Sequence, residues 1–104
     1  MAADPLPFED QHAPLYPVGQ VADMLGVQPA FVRRLDTEGV VTPQRSDGGQ
    51  RRYSQAEVRR VQRVSEMASE GMTLPGIRRI FVLEQEVARL ERELAAARSG
   101  RHGS

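Results

Sequence analysis

Apolar residues recur at helical spacing along most of the chain. In "YPVGQVADMLGV" the residues Val18, Val21, Ala22 and Leu25 fall at i, i+3, i+4 and i+7, one face of a short helix. Gly26 is placed to end it in a left-handed cap. Gln28 and Pro29 open the next helix, because proline fits a first turn whose N–H has no helical partner anyway. "PAFVRRLDTEG" then makes about two and a half turns, with Val32 and Leu35 turned inward, and stops at Gly39. A helix, a short turn containing glycine and a second helix form a helix-turn-helix pattern.

The period then changes. "VVTPQRSDGGQRRYS" combines the β-branched residues Val40, Val41 and Thr42, a proline, and the turn-forming "SDGGQ" between two short extended pieces. This predicts a two-stranded hairpin, a wing beside the helix-turn-helix. The following "SQAE" has the form of a capping box, with Ser54 as N-cap and Glu57 reaching back. A third helix places Val58, Val61, Val64 and Ala68 inward and ends near Gly71. Thr73 caps a fourth, in which Pro75 sits within the first turn. Along that helix Ile80, Leu83, Val87, Leu90, Leu94 and Ala97 alternate spacings of three and four, a coiled-coil seam. From Leu74 to Arg98 the helix would extend about 37 Å. Such a seam has no room to fold back on so small a globule. Burying each large apolar residue is worth roughly 1.5–3 kcal/mol, and a second copy of the chain is the simplest place to do it.

The expected fold is therefore mainly α: a winged helix-turn-helix of four helices and a two-stranded wing, the last helix a long dimerisation coiled coil. The expected divisions are a disordered acidic arm over 1–15, a DNA-binding domain over 16–72, a dimerisation helix over 73–98 and a disordered tail over 99–104. Three prolines, three acids and no periodicity mark the arm.

Composition narrows the chemistry. The 104 residues include no cysteine and two histidines, His12 and His102, so disulfides and thiolate metal sites are excluded and no metal or cofactor is expected. No cluster of nucleophilic or titratable groups points to an enzyme. No run of about 18 apolar residues predicts a membrane span, the start is unlike a secretory signal, and a cytoplasmic protein is expected. The net charge of zero conceals an uneven distribution. Residues 1–27 carry four acids and no base, whereas residues 28–63 carry eight arginines against four acids. All 14 basic residues are arginine. Arginine suits bidentate contact with guanine and phosphate.

That basic third of the chain coincides with the predicted helix-turn-helix and wing. In the second helix, Gln28, Ala30, Phe31, Arg33 and Arg34 occupy the first turns on the side away from Val32 and Leu35. A helix so placed can enter the major groove with its N-terminal half at the base edges. On the wing, Arg45, Arg51 and Arg52 could straddle phosphates, and the glycines let the backbone approach a surface. Tyr53 has two readings, a phosphate donor or a hydrophobic staple ahead of the Ser54 cap. Arg59, Arg60 and Arg63 fall on the polar side of the third helix as long-range electrostatics or phosphate contacts.

These elements resemble the MerR-type winged-helix regulators. The matching stretches are "YPVGQVADMLGV", "PAFVRRLDTEGVVTP", the "GGQRRYS" hairpin, and the "GMTLPGIRRI" entry to a coiled coil, covering about residues 16 to 95. "DGGQRRYS" and "EGMTLPGIRRIFVLEQEVARL" look most like the HspR-type heat-shock repressors. The resemblance implies a homodimer reading an inverted repeat through an antiparallel arm, with Arg33, Arg51 and Tyr53 on phosphates and Ala30 and Arg34 near bases. The seam alone is compatible with either orientation. Leu35 stands where the family usually has tyrosine, and Phe31 where a small hydroxyl residue is common, so the resemblance implies one fewer backbone contact and an altered specificity. No sensor domain is expected after the dimer helix, and the 104 residues hold no cysteine for metal sensing.

The expected function is a sequence-specific dimeric DNA-binding transcription regulator, a repressor rather than an activator. Recognition would use the helix over 28–38 and the wing over 44–53. Double-stranded DNA, a second copy and a chaperone-like co-regulator are the expected partners. The rival reading is a protein-interaction module on the same fold, since a helix-turn-helix does not fix function. An architectural DNA-binding protein ranks below both.

Overall fold

The computed structural model describes residues 10–102, and within them the chain forms two short helices, a small sheet and two longer helices. The first strand, β1 (Tyr16–Pro17), leads directly into α1 (Val18–Leu25), which Gly26 closes with φ 66°. The N–H of Val27 donates back to the Ala22 carbonyl at 3.1 Å, completing the cap. Helix α2 (Pro29–Thr37) starts behind Gln28 as predicted, and the chain leaves it through Gly39 at φ 70°. Both left-handed positions would strain any residue with a Cβ.

The wing consists of β2 (Gln44–Arg45) and β3 (Arg51–Tyr53), antiparallel, with Arg45 opposite Arg51 and Gln44 opposite Arg52. Its turn is closed by Ser46 N–H to the Gln50 carbonyl at 2.7 Å and Gly49 N–H to the Ser46 carbonyl at 2.8 Å. The sheet has three strands rather than the expected two. β1 adds to the other edge of β3, giving the order β1-β3-β2, with Tyr16 opposite Tyr53. A two-residue strand ahead of a helix leaves no alternation to detect in the sequence; only the partner strand reveals it.

Helix α3 (Gln55–Ser69) opens with the full capping box. Ser54 Oγ accepts from the Glu57 N–H at 3.1 Å, and the Glu57 carboxylate accepts from the Ser54 N–H at 2.8 Å. Ser54 is buried, so a lost cap cannot be replaced readily by water. Ser54→Ala is expected to cost about 1 kcal/mol, read as a lowered melting temperature with an unchanged folded-state circular dichroism spectrum.

Helix α4 (Leu74–His102) starts where expected and runs past the expected end at Arg98. Its first turns belong to the head: Leu74, Ile77 and Phe81 are buried in the same core as Val21, Val32, Leu35, Val61 and Val64. The core therefore crosses the division expected at 72/73. At the other end the helix continues through Ser99 and Gly100 to His102, where a disordered tail was expected from 99. One glycine in a helix costs about 1 kcal/mol, too little to stop it. Residues 103–104 lie outside the described residues.

Two faces of α4 serve different purposes. At 100° per residue, Leu74, Ile77 and Phe81 centre roughly 140° away from the line Ile80–Leu83–Val87–Leu90–Leu94. Ile80 is half-buried, whereas Leu83, Val87, Leu90 and Leu94 are 48–54% exposed. Within a single chain that seam is left facing water.

The acidic arm also differs from expectation. Residues 1–9 lie outside the described residues. Residues 10–15 are tied down, not loose. The Gln11 carbonyl accepts from the Ala56 N–H at 3.1 Å, its side chain accepts from Arg59 at 2.7 Å, and the Leu15 N–H donates to the Tyr53 carbonyl at 3.2 Å. These bonds use backbone groups that neither composition nor periodicity can report.

Candidate nucleic-acid interface

The alternation of side chains along β3 divides the arginines of the wing. Arg51 and Tyr53 point to one face and Arg52 to the other. On the first face, Arg51 Nε donates to Asp36 of α2 in a part-buried ion pair. That pair joins the hairpin to the proposed recognition helix and leaves the terminal nitrogens of Arg51 available for other acceptors. Arg45 folds over its own turn, Nη1 donating to the Gly49 carbonyl at 3.1 Å, and Arg52 donates to Gln50 at 3.2 Å. These are exposed bonds that a phosphate can displace.

Helix α2 presents Ala30, Arg33, Arg34 and Thr37 to solvent along one strip, while Val32 and Leu35 are fully buried on the opposite side. Gln28 is exposed at the N-cap. Arg34 Nε donates to Glu38 at 2.6 Å, one turn along the same helix. An exposed i,i+4 pair of this kind is worth well under about 1 kcal/mol, so Arg34 is free to exchange partners. Arg33 has no side-chain ion pair among the described residues. Phe31 is placed differently from the expectation: it is half-buried and packed against the core. The outward strip of α2 is narrower than the sequence suggested.

Tyr53 requires a correction. It is completely buried, and its hydroxyl is buried with no hydrogen-bond partner among the described residues. Burial raises its pKa above the usual phenol value, with the Asp36 carboxylate adding to the effect and the Arg51 guanidinium opposing it. The ring fills the space between the sheet and the helices, which matches the packing reading and not the phosphate donor. In this arrangement its hydroxyl does not reach the surface.

The arginines of α3 are committed elsewhere. Arg59 holds Gln11, as described above. Arg60 and Arg63 lie over the Phe81 ring, 4.4 and 5.1 Å from its centroid. Arg63 also donates from Nη1 and Nη2 to the two oxygens of Glu84, each at 2.8 Å. That bond lowers the Glu84 carboxyl below its ordinary range and raises Arg63. Sequence reasoning missed a further arginine: Arg78 of α4 donates to the Glu38 carbonyl at 3.0 Å and so closes the C-terminal end of α2. Nothing in local spacing signals a contact across 40 residues.

Among the described residues, no group of three or more His, Asp or Glu is arranged to hold a metal ion, and no helix is long and apolar enough to cross a membrane.

This arrangement has known counterparts. Residues 16–83 match the family described as MerR HTH family regulatory protein. Over 99 residues the chain is 37% identical to a protein named heat shock protein HspR from Streptomyces coelicolor, which covers 90% of this chain and 66% of that protein. It is 25% identical over 73 residues to the HTH-type transcriptional regulator GlnR of Bacillus anthracis, covering 70% of this chain and 57% of that one. The chain thus spans 57–66% of the length of these curated relatives. A crystal structure of a MerR-family transcriptional regulator from Bacillus cereus superposes with a TM-score of 0.60 over 83% of this chain and 70% of that chain, at 19% identity. The last is a likeness of fold.

Proposed function

The chain belongs to the MerR HTH family of regulatory proteins, and from that premise we propose that it is a dimeric, sequence-specific DNA-binding repressor reading an inverted repeat. One observation carries the reading. The Arg51–Asp36 ion pair couples the cationic hairpin to α2, so that wing and recognition helix present one rigid surface to a duplex. Helix α2 enters the major groove with Ala30 and Arg34 toward the bases, while Arg33, Arg45, Arg51 and Arg52 hold the flanking phosphates. Dimerisation follows from the exposed seam. Ile80, Leu83, Val87, Leu90 and Leu94 of two copies pack against each other, which places two α2 helices on two half-sites. Repression needs only occupancy of the operator. The similarity to a heat shock protein makes chaperone genes the first operators to test and a chaperone a candidate co-regulator.

Phosphate and base contacts separate in their response to mutation. With about four phosphates neutralised per protomer, log affinity falls against log salt with a slope near −7. Arg52→Ala, which leaves the Arg51–Asp36 pair intact, is expected to weaken all sequences alike and to lower that slope by about one for each protomer's lost contact. Arg34→Ala is expected to relax preference at a single base position of each half-site, costing about 1–3 kcal/mol there. The measurement is selection from a random duplex pool at moderate salt, followed by titrations of the recovered site. Recovery of no inverted repeat, with binding that ignores sequence, would point instead to a protein-interaction module.

A further inference from the structure

Glu84 stands at the point where α4 leaves the head. Phe81 is the last residue of α4 in the buried core, and Val82 and Leu83 are already about half exposed. One turn beyond the core, Arg63 of α3 grips Glu84 through two parallel bonds of 2.8 Å. A fork-to-carboxylate pair fixes direction as well as distance. Arg63 is itself steadied over the Phe81 ring, beside Arg60. The next ion pairs along the helix, Arg89 with Glu86 and Glu93, stay within α4.

We propose that the Arg63–Glu84 bridge is the positioning device that selects which spacing between half-sites the dimer accepts. The inference rests on the dimeric DNA-reading role proposed above. Its physical basis is leverage. From Phe81 to His102 the helix extends about 32 Å at 1.5 Å per residue. A swing of about 6° over that length moves the far end by about 3.4 Å, one base-pair step of a duplex whose turn is about 34–36 Å per 10–10.5 pairs. Small freedom at the root of the arm therefore becomes the axial rise of one base pair between the two recognition helices, and the accompanying rotation of about 34–36° is left to the twist of the DNA. Both partners of the bridge are about half exposed (50% and 49%), so it contributes little to stability. Its effect lies in the angle it holds, which makes Arg63 and Glu84 specificity-determining residues that do not touch DNA.

The test uses the full chain and duplexes carrying the selected inverted repeat, with the central spacer shortened or lengthened by one and two base pairs. Wild type is expected to favour one spacing and to lose about tenfold or more per base pair of error, the scale of a mismatched contact. Glu84→Ala and Arg63→Ala should each flatten that profile to about threefold or less per base pair, and the double variant should be no flatter than either single, because both remove one bridge. Single half-site affinity and melting temperature should stay near wild type for Glu84→Ala. Arg89→Ala, which removes ion pairs confined to α4, should keep the sharp profile. A Glu84→Ala profile as sharp as wild type, or equal flattening by Arg89→Ala, overturns the proposal. If Arg63→Ala fails to fold, Glu84→Ala at its exposed site decides alone. A wild-type protein with no preference for paired half-sites refutes the dimeric reading itself, and the inference falls with it.

Discussion

Leu90→Asp is expected to yield a folded monomer that has lost at least about a hundredfold in affinity for a duplex carrying two half-sites. Leu90 lies midway along the seam and is 50% exposed in the single chain, so the head loses no packing when it is replaced. In a paired seam the same side chain meets its counterpart's neighbours, and an aspartate there must bury a carboxylate among leucines or hold the helices apart. An unpaired buried charge costs several kcal/mol, more than one exposed leucine can return. Once the copies separate, the second half-site is no longer reached at the effective concentration, in the millimolar range, that a short connection supplies. Sedimentation equilibrium gives the mass, circular dichroism confirms retained helix, and titration against one and two half-sites gives the loss. A variant that stays dimeric, or a monomer that binds both duplexes as wild type does, would remove the basis of the dimeric reading.

The second large effect concerns Tyr53, and it acts on the fold. Tyr53→Ala is expected to lower stability by about 3–5 kcal/mol, the usual cost of removing a buried aromatic ring. Small domains hold about 5–15 kcal/mol in all, so the variant should melt at a markedly lower temperature or be partly unfolded at 37 °C. Tyr53→Phe behaves in the opposite way. It keeps the ring and deletes a buried hydroxyl that has no partner among the described residues. Removing an unsatisfied buried polar group recovers about 1–3 kcal/mol of desolvation at most, and no loss of stability is expected. DNA affinity should be unchanged in Tyr53→Phe. A loss of several-fold with the salt slope reduced would restore the phosphate-donor role that burial argues against.

Much of the head was legible in sequence because its signals are local. Gly26 and Gly39 end α1 and α2, Pro29 starts α2, and the Ser54–Glu57 box starts α3, each through bonds made within a few residues. The seam of α4 was legible because a repeat of three and four holds whether or not a partner is present. What failed was the sorting of residues that carry the same chemistry. Eight arginines between 28 and 63 read as one basic surface, yet Arg63 reaches Glu84, Arg59 reaches Gln11, and Arg51 reaches Asp36. Phe31 sits among those arginines and reads as part of the same surface, and Tyr53 reads either way, although both turn toward the core. A basic run fixes the sign of the field but not the direction of each side chain.

Periodicity, caps and turns thus determined the elements of this protein, their order, and the unpaired apolar line on its last helix. They operate between neighbours three or four residues apart, where chain geometry leaves few choices. Only the tertiary structure decided that β1 joins the wing, that α4 begins inside the core, and that the arginines divide between tying elements together and facing outward. Those outcomes depend on contacts across 15 to 48 residues, such as Arg51 with Asp36 and Arg59 with Gln11. At such separations the sequence supplies the groups, and packing selects which of them meet.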